Sequence, residues 1–236
     1  FLIADPNLIK NDEKHLYSEK ILYMPNIWNS LSKPKNLPDI KAKISIKDKT
    51  IVYGCFNNFM KISLNTIKVW SKILNQGESK LILKNPVSLI DEKAKEILIK
   101  KFENEKVDIN KIEFVERKKT MTEHLETYNQ IDLALDTFPY PGVTTSFQSI
   151  LMGVPVLTMK GYNFNSRCGE SINRNLGFEE FISEDEVDYF NKAVKFKNDK
   201  QKLFDIKKNL RNIALKSNLF DTDQFVFDFS KLIKNL

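Results

Sequence analysis

Between residues 50 and 159 the chain alternates short apolar runs with amphipathic stretches, and this alternation restricts the fold more than any other feature. Ile51-Val52-Tyr53, Lys80-Leu81-Ile82-Leu83, Ile112-Glu113-Phe114-Val115, residues 131–135 and residues 154–159 have the length and composition of strands. Helix patterns fall between them. Residues 63–76 put Ile67, Trp70, Ile73 and Leu74 on one face, with Gly77 just beyond the end. Residues 91–106 follow, and Thr120-x-x-Glu123 opens a further helix, running to about Tyr128, with a capping box. Strands separated by single helices need crossover connections, which are right-handed and produce a parallel sheet. The expected fold is α/β, a Rossmann-like doubly wound parallel sheet.

Past Gly161 the strand signals thin out. Residues 165–176, 184–196, 199–215 and 221–236 read as helices, the first stopped by Gly177. Residues 1–48 read as a lead-in, with short strands at Leu2-Ile3-Ala4 and over 21–24 and a polar linker over 29–38 carrying Pro34 and Pro38. The expected division is 1–48 and 49–236. Phe1-Leu2-Ile3 has no initiator methionine and no leader pattern follows, so the chain is expected to be a piece of something longer.

Composition narrows the function. No apolar run approaches the roughly 20 residues that span a bilayer. The expectation is a soluble protein without a membrane partner. Two cysteines, Cys55 and Cys168, are too few for a disulfide framework and fit a reducing cytoplasm. With His15 and His124 they show no zinc-ligand spacing. The net charge of +6 invites nucleic acid, but arginine, the residue suited to bidentate phosphate and base contacts, appears only at 117, 167, 174 and 211. Lysines are interspersed with acids as on a solvated surface, so no nucleic-acid partner is expected.

Ligands of doubly wound sheets sit outside the carboxyl ends of the strands. The most informative loop there is Leu135-Asp136-Thr137-Phe138-Pro139-Tyr140-Pro141-Gly142-Val143-Thr144-Thr145-Ser146, in which a strand runs through a Pro/Gly bend into a helix over 147–152. A helix N-terminus offers unpaired N–H groups and the positive end of a dipole, which suits an anion. The Thr144 and Thr145 hydroxyls can cap the helix or bond a phosphate. An ordinary capped turn is the plain alternative. Neighbouring loops carry Gly54-Cys55-Phe56-Asn57-Asn58-Phe59-Met60-Lys61-Ile62, the basic stretch Arg117-Lys118-Lys119 with His124 in the following helical turn, and 160–169.

Together Tyr17-Ser18-Glu19-Lys20, Tyr23-Met24-Pro25-Asn26, Phe56-Asn57-Asn58 with Lys61-Ile62, Leu135-Asp136-Thr137-Phe138-Pro139-Tyr140, Gly153-Val154-Pro155 and Ser166-Arg167 resemble the C-terminal catalytic region of family 41 glycosyltransferases. That family contains O-linked N-acetylglucosamine transferases and SPINDLY proteins. The resemblance implies the second lobe of a GT-B glycosyltransferase, with residues 1–48 a remnant of the first lobe. It also implies tetratricopeptide repeats upstream in the full protein.

The resemblance assigns Lys61 to the donor's diphosphate, as the residue stabilising the departing group. It gives Thr144 and Thr145 to the phosphates, and His124 to the nucleobase as a flat, uncharged surface. Lys119 falls where the backbone reads the base edge, and Asn58 near phosphate or ribose. Gln148 stands where relatives often carry an acid for the ribose hydroxyls, and Val143 where animal relatives have a histidine. For Lys61 a plain surface lysine is the alternative, and for His124 a capping-turn histidine.

Asp221-Thr222-Asp223 resembles a metal-chelating pair but precedes the last helix, where a cap is expected. No metal and no cofactor are expected. The expected partners are a nucleotide sugar, an acceptor protein or peptide, the first catalytic lobe and the repeats. The activity implied is inverting transfer of a sugar, N-acetylglucosamine from UDP-GlcNAc, to Ser/Thr hydroxyls. GDP-fucose as donor, or a non-catalytic binding module, are the alternatives. Neither a Walker loop nor a G-x-G-x-x-G fingerprint is present to support another nucleotide enzyme.

Overall fold

A computed structural model describes residues 1–41, 50–85, 92–234 and 236. The boundary expected at 48/49 and the start of the helix expected at 91 lie outside the described residues. Two strands, β1 (Leu2–Ala4) and β2 (Ile21–Tyr23), form a small parallel sheet of their own. The main sheet has six parallel strands: β3 (Ile51–Cys55), β4 (Ser79–Lys84), β5 (Ile112–Val115), β6 (Leu133–Leu135), β7 (Val156–Met159) and β8 (Ile182–Ser183). Their order is β5-β4-β3-β6-β7-β8, so the winding reverses between β3 and β6. The helices are α1 (Leu64–Leu74), α2 (Glu92–Asn104), α3 (Met121–Glu126), α4 (Thr144–Leu151), α5 (Cys168–Leu176), α6 (Glu186–Asn198), α7 (Lys200–Leu215) and α8 (Thr222–Lys234). The Rossmann-like, doubly wound parallel α/β sheet expected from the sequence is present.

A parallel sheet covered on both faces needs apolar strands throughout, and β6 is buried at all three positions. On one face, Trp70 and Ile73 of α1, Phe102 of α2 and Tyr189 and Phe196 of α6 form one core. On the other, Leu125 of α3, Phe147 and Leu151 of α4, Ile172 of α5 and Leu210 of α7 form a second. This is the doubly wound layering that places both crossover sets over the sheet.

Several boundaries moved for physical reasons. The strand expected over 131–135 is regular only at Leu133–Leu135: the Asp132 N–H still donates to Val52 O at 2.7 Å, but the Val52 N–H turns to the Asp132 carboxylate at 2.8 Å in place of a ladder carbonyl. The helix expected to reach Tyr128 ends at Glu126 and tightens into a 3₁₀ turn at Thr127–Gln130. The helix expected over 165–176 begins with a 3₁₀ turn at Asn165–Arg167 and becomes α5 only at Cys168. The two-residue β8 was not expected; it is too short to show a period. Gly177 ends α5 in the left-handed conformation, φ 77°, as its position implies. Asp221 caps α8, its carboxylate accepting the Gln224 N–H at 3.0 Å.

The lead-in is anchored to the large sheet's helices through charged and polar groups. Asp5, fully buried, accepts from Ser171 Oγ at 2.6 Å and from the Asn7 and Trp28 N–H groups. Arg167 forks onto Glu13 and also donates to the Leu8 carbonyl at 3.2 Å. The 29–38 stretch is pinned at both ends: Leu31 N–H donates to Leu219 O, and Arg211 donates to Pro38 O at 2.8 Å.

Candidate functional site: a cleft at the switch point

Where winding reverses, the loops after β3 and β6 leave in opposite directions and open a crevice at the strands' carboxyl ends. A buried polar network holds those loops together. Asp136, just past β6, accepts from Gly142 N–H at 2.7 Å, Asn57 Nδ2 at 2.9 Å, Thr137 N–H at 3.0 Å and Thr158 Oγ1 at 3.0 Å. Burial raises its carboxyl above the usual range, and these donors work against that rise. Asn57 in turn accepts from the Thr145 hydroxyl. The loop after β6 is thereby bent back so that α4 starts beside the end of β3. Gly142 is required at the bend, because a Cβ there would collide with Thr145 Oγ1 and Asn57 Oδ1.

The helix starts earlier than expected. Val143 is the N-cap of α4 and its side chain makes no cap bond, so Thr144 and Thr145 lie in the first turn instead of capping it. The Thr145 hydroxyl is engaged with Asn57, while Thr144 is exposed. A cleft of about 360 Å³ opens in front of them. Lys119, His124, Thr144, Thr145 and Gln148 all line it, and Arg117 and Lys118 add positive charge at its wall. Five of the seven residues singled out from the sequence therefore meet in one place.

The other two lie beside the cleft. Asn58 caps the short 3₁₀ turn Phe59–Lys61 by accepting the Met60 N–H at 3.0 Å. Lys61 Nζ donates to the Pro141 carbonyl at 2.8 Å and lies 4.0 Å from the centre of the Tyr140 ring. It is held against the loop that leads into α4 and does not line the cleft.

His124 is wedged between two partners. Nδ1 is 2.7 Å from Lys84 Nζ, and Nε2 is 2.9 Å from Gln148 Oε1. Burial holds its imidazolium below the ordinary range; the Gln148 bond opposes this and the Lys84 charge reinforces it. The net direction favours the neutral imidazole at pH 7. Its ring meets Tyr128 edge-on at 5.8 Å.

Three residues of this site were not singled out by sequence reasoning. In the sequence Asn57 and Asp136 are ordinary members of their motifs, with nothing to mark them as partners. Lys84, at the end of β4, is wholly buried and its ammonium is pushed down to about 8 by burial, with Lys118 adding repulsion. A lysine closing an apolar parallel strand was the available signal, since lysines are almost never fully buried without a partner.

A helix start at the switch point of a parallel sheet, facing a cleft walled by lysines and a buried histidine, is the arrangement found in the second lobe of GT-B glycosyltransferases. The neighbours in fold agree. A Thermobaculum terrenum O-GlcNAc transferase mutant superposes with a TM-score of 0.89 at 28% identity, over 99% of this chain and 44% of that one. A sucrose-phosphate synthase from Thermosynechococcus elongatus shares the fold at 12% identity and a TM-score of 0.64, over 99% of this chain and 57% of that one.

The model of glycosyl transferase family 41 matches residues 33–229, and the chain belongs to that family. A probable UDP-N-acetylglucosamine–peptide N-acetylglucosaminyltransferase SPINDLY from Eustoma exaltatum subsp. russellianum is 25% identical over 99% of this chain. The Caenorhabditis elegans UDP-N-acetylglucosamine–peptide N-acetylglucosaminyltransferase is 26% identical over 82% of this chain and 16% of its own length. The chain spans 25% of the length of the SPINDLY relative. Among the described residues, no helix is long and apolar enough to cross a membrane.

Proposed function

We propose that this chain is the donor-binding part of a protein O-glycosyltransferase that transfers a sugar from a nucleoside diphosphate to Ser/Thr hydroxyls with inversion. The observation that carries this reading is the convergence of Lys119, His124, Thr144, Thr145 and Gln148 on one cleft at the start of α4. In the reaction the acceptor hydroxyl attacks the anomeric carbon as the bond to the diphosphate breaks. The diphosphate leaves with an additional negative charge, and fixed donors that await that charge lower the barrier. The first-turn N–H groups of α4 and the Thr144 hydroxyl are such donors. Lys61 supports them from the flank: an ammonium has three donor hydrogens, and the Pro141 carbonyl engages one.

His124 supplies a flat neutral surface for the base, and Gln148 replaces a carboxylate near the ribose. No metal enters this scheme, because the cation and the helix start act on the leaving group. The acceptor side belongs to the first lobe, with repeats upstream, in a cytoplasmic protein. UDP-GlcNAc is the donor favoured by the names of the relatives. Replacing Lys61 by Ala in the full-length protein tests the reading: transfer is lost while the fold survives. Unchanged transfer would favour a binding module without catalysis. Titrating UDP and GDP separately distinguishes the N-acetylglucosamine reading from the fucose one.

A further inference from the structure

One hydrogen-bond chain in the cleft takes its direction from outside it. Lys84 is 0% exposed and donates to Thr127 Oγ1 at 3.1 Å as well as reaching His124 Nδ1 at 2.7 Å. An ammonium has donors and no acceptor, so Nδ1 must accept. A neutral imidazole then carries its one proton on Nε2, and that N–H points at Gln148 Oε1, 2.9 Å away. With its oxygen occupied, the Gln148 amide has its NH₂ left over. Among the described residues that nitrogen has one partner, the Met121 thioether at 3.7 Å, a weak acceptor at the cleft wall.

We propose that Lys84 is a positioning residue that fixes the His124 tautomer and, through it, turns Gln148 so that the cleft offers an N–H donor to its ligand. The chemical consequence is a change of polarity. A carboxylate at position 148 would offer acceptors and demand that a ligand hydroxyl donate. The oriented amide instead selects an oxygen that accepts, a hydroxyl or a carbonyl of the nucleotide. Lys84 exerts this control without touching the ligand, since it does not line the cleft. The ligand part of the inference rests on the nucleotide-binding reading above; the tautomer does not.

Only two histidines are present, and His15 is exposed, so His15→Gln assigns the His124 signals unambiguously. Long-range ¹H–¹⁵N spectra of the ligand-free 236-residue chain at pH 7.0, below the value of about 8 to which burial brings Lys84, should show His124 predominantly as the Nε2–H tautomer. An Nδ1–H tautomer, or an imidazolium, overturns the proposal. Lys84→Met should give a tautomer mixture in a folded chain and weaken UDP binding by up to about tenfold, the size of one modest hydrogen bond. A pure Nε2–H tautomer in that variant also overturns it. Lys84→Arg, which keeps a donor-only cation, should retain the wild-type tautomer; a tautomer mixture in a folded Lys84→Arg chain overturns the role given to the donor. The wild-type spectrum decides even if neither variant folds. A chain with the expected tautomer that binds neither UDP nor GDP removes the nucleotide reading and leaves the relay. A chain that binds UDP with the other tautomer does the reverse.

Discussion

Asn57 and Asp136 are joined at 2.9 Å across the point where the sheet reverses its winding, amide to buried carboxylate. The same asparagine accepts the Thr145 hydroxyl through its oxygen. One side chain therefore couples the end of β3, the end of β6 and the first turn of α4. The geometry of the cleft at the start of α4 depends on that coupling.

Asn57→Ala should leave a buried carboxylate and the Thr145 hydroxyl short of a partner, costing about 1–3 kcal/mol in urea denaturation. It should also weaken UDP binding measured by calorimetry, because Thr145 loses its support. Lower stability with undiminished affinity would confine the network to a structural role.

Gly142→Ala places a methyl against Thr145 Oγ1 and Asn57 Oδ1, both parts of rigid, bonded elements. The expected outcome is a folded chain destabilised by about 1–3 kcal/mol, as for other overpacked sites, with nucleotide affinity reduced. Wild-type stability and affinity together would mean that the loop after β6 adapts freely.

The Glu13–Arg167 pair predicts an acid limb. Arg167's hydrogen bonds lower the Glu13 carboxyl from 4.5 to about 2. Between those values the unfolded chain binds the proton that the folded chain refuses, so stability falls as pH falls through this window. Above pH 4.5 the contribution is complete. Glu13→Gln should flatten this part of the pH–stability curve relative to the wild type. Asp5 and Asp136, whose carboxyls are raised by burial, slope the opposite way but are common to both chains. Parallel curves for the two proteins between pH 4.5 and 2 would contradict the pairing.

Gln148→Glu sets a carboxylate beside the His124 Nε2–H and should move the imidazole's titration upward, since an adjacent negative charge favours imidazolium. An NMR titration checks the direction. A downward shift would mean that position 148 does not contact the ring in solution.

The sheet was legible because its strands are apolar runs separated by helices with ordinary start and stop residues: Ser63, Thr120, Gly77 and Gly177 all act at helix ends. Thr144 and Thr145 stood out because a strand's carboxyl end runs there into a helix start, whereas Lys119, His124 and Gln148 rested on the resemblance to family 41; the fold brings all five to one cleft. What the sequence concealed was partnership. Lys84 is marked in the sequence only by closing an apolar strand, and its partners His124 and Thr127 appear only when β4 carries it under α3. Lys61 looks free to reach a phosphate until the Pro141 carbonyl engages it. Asn57 and Asp136 lie 79 positions apart and acquire meaning only when β3 and β6 become neighbours. Thr145 reads as a cap, yet its hydroxyl turns sideways to Asn57, because Val143 occupies the N-cap position.

The most direct measurement is the change in backbone ¹H–¹⁵N signals of the chain as UDP is added, repeated with GDP. The account predicts saturable shifts for one of the two, concentrated at Lys119, His124, Thr144, Thr145 and Gln148 and diminished in Thr144→Val. Shifts confined to other surfaces, or none with either nucleotide at millimolar concentration, would contradict it.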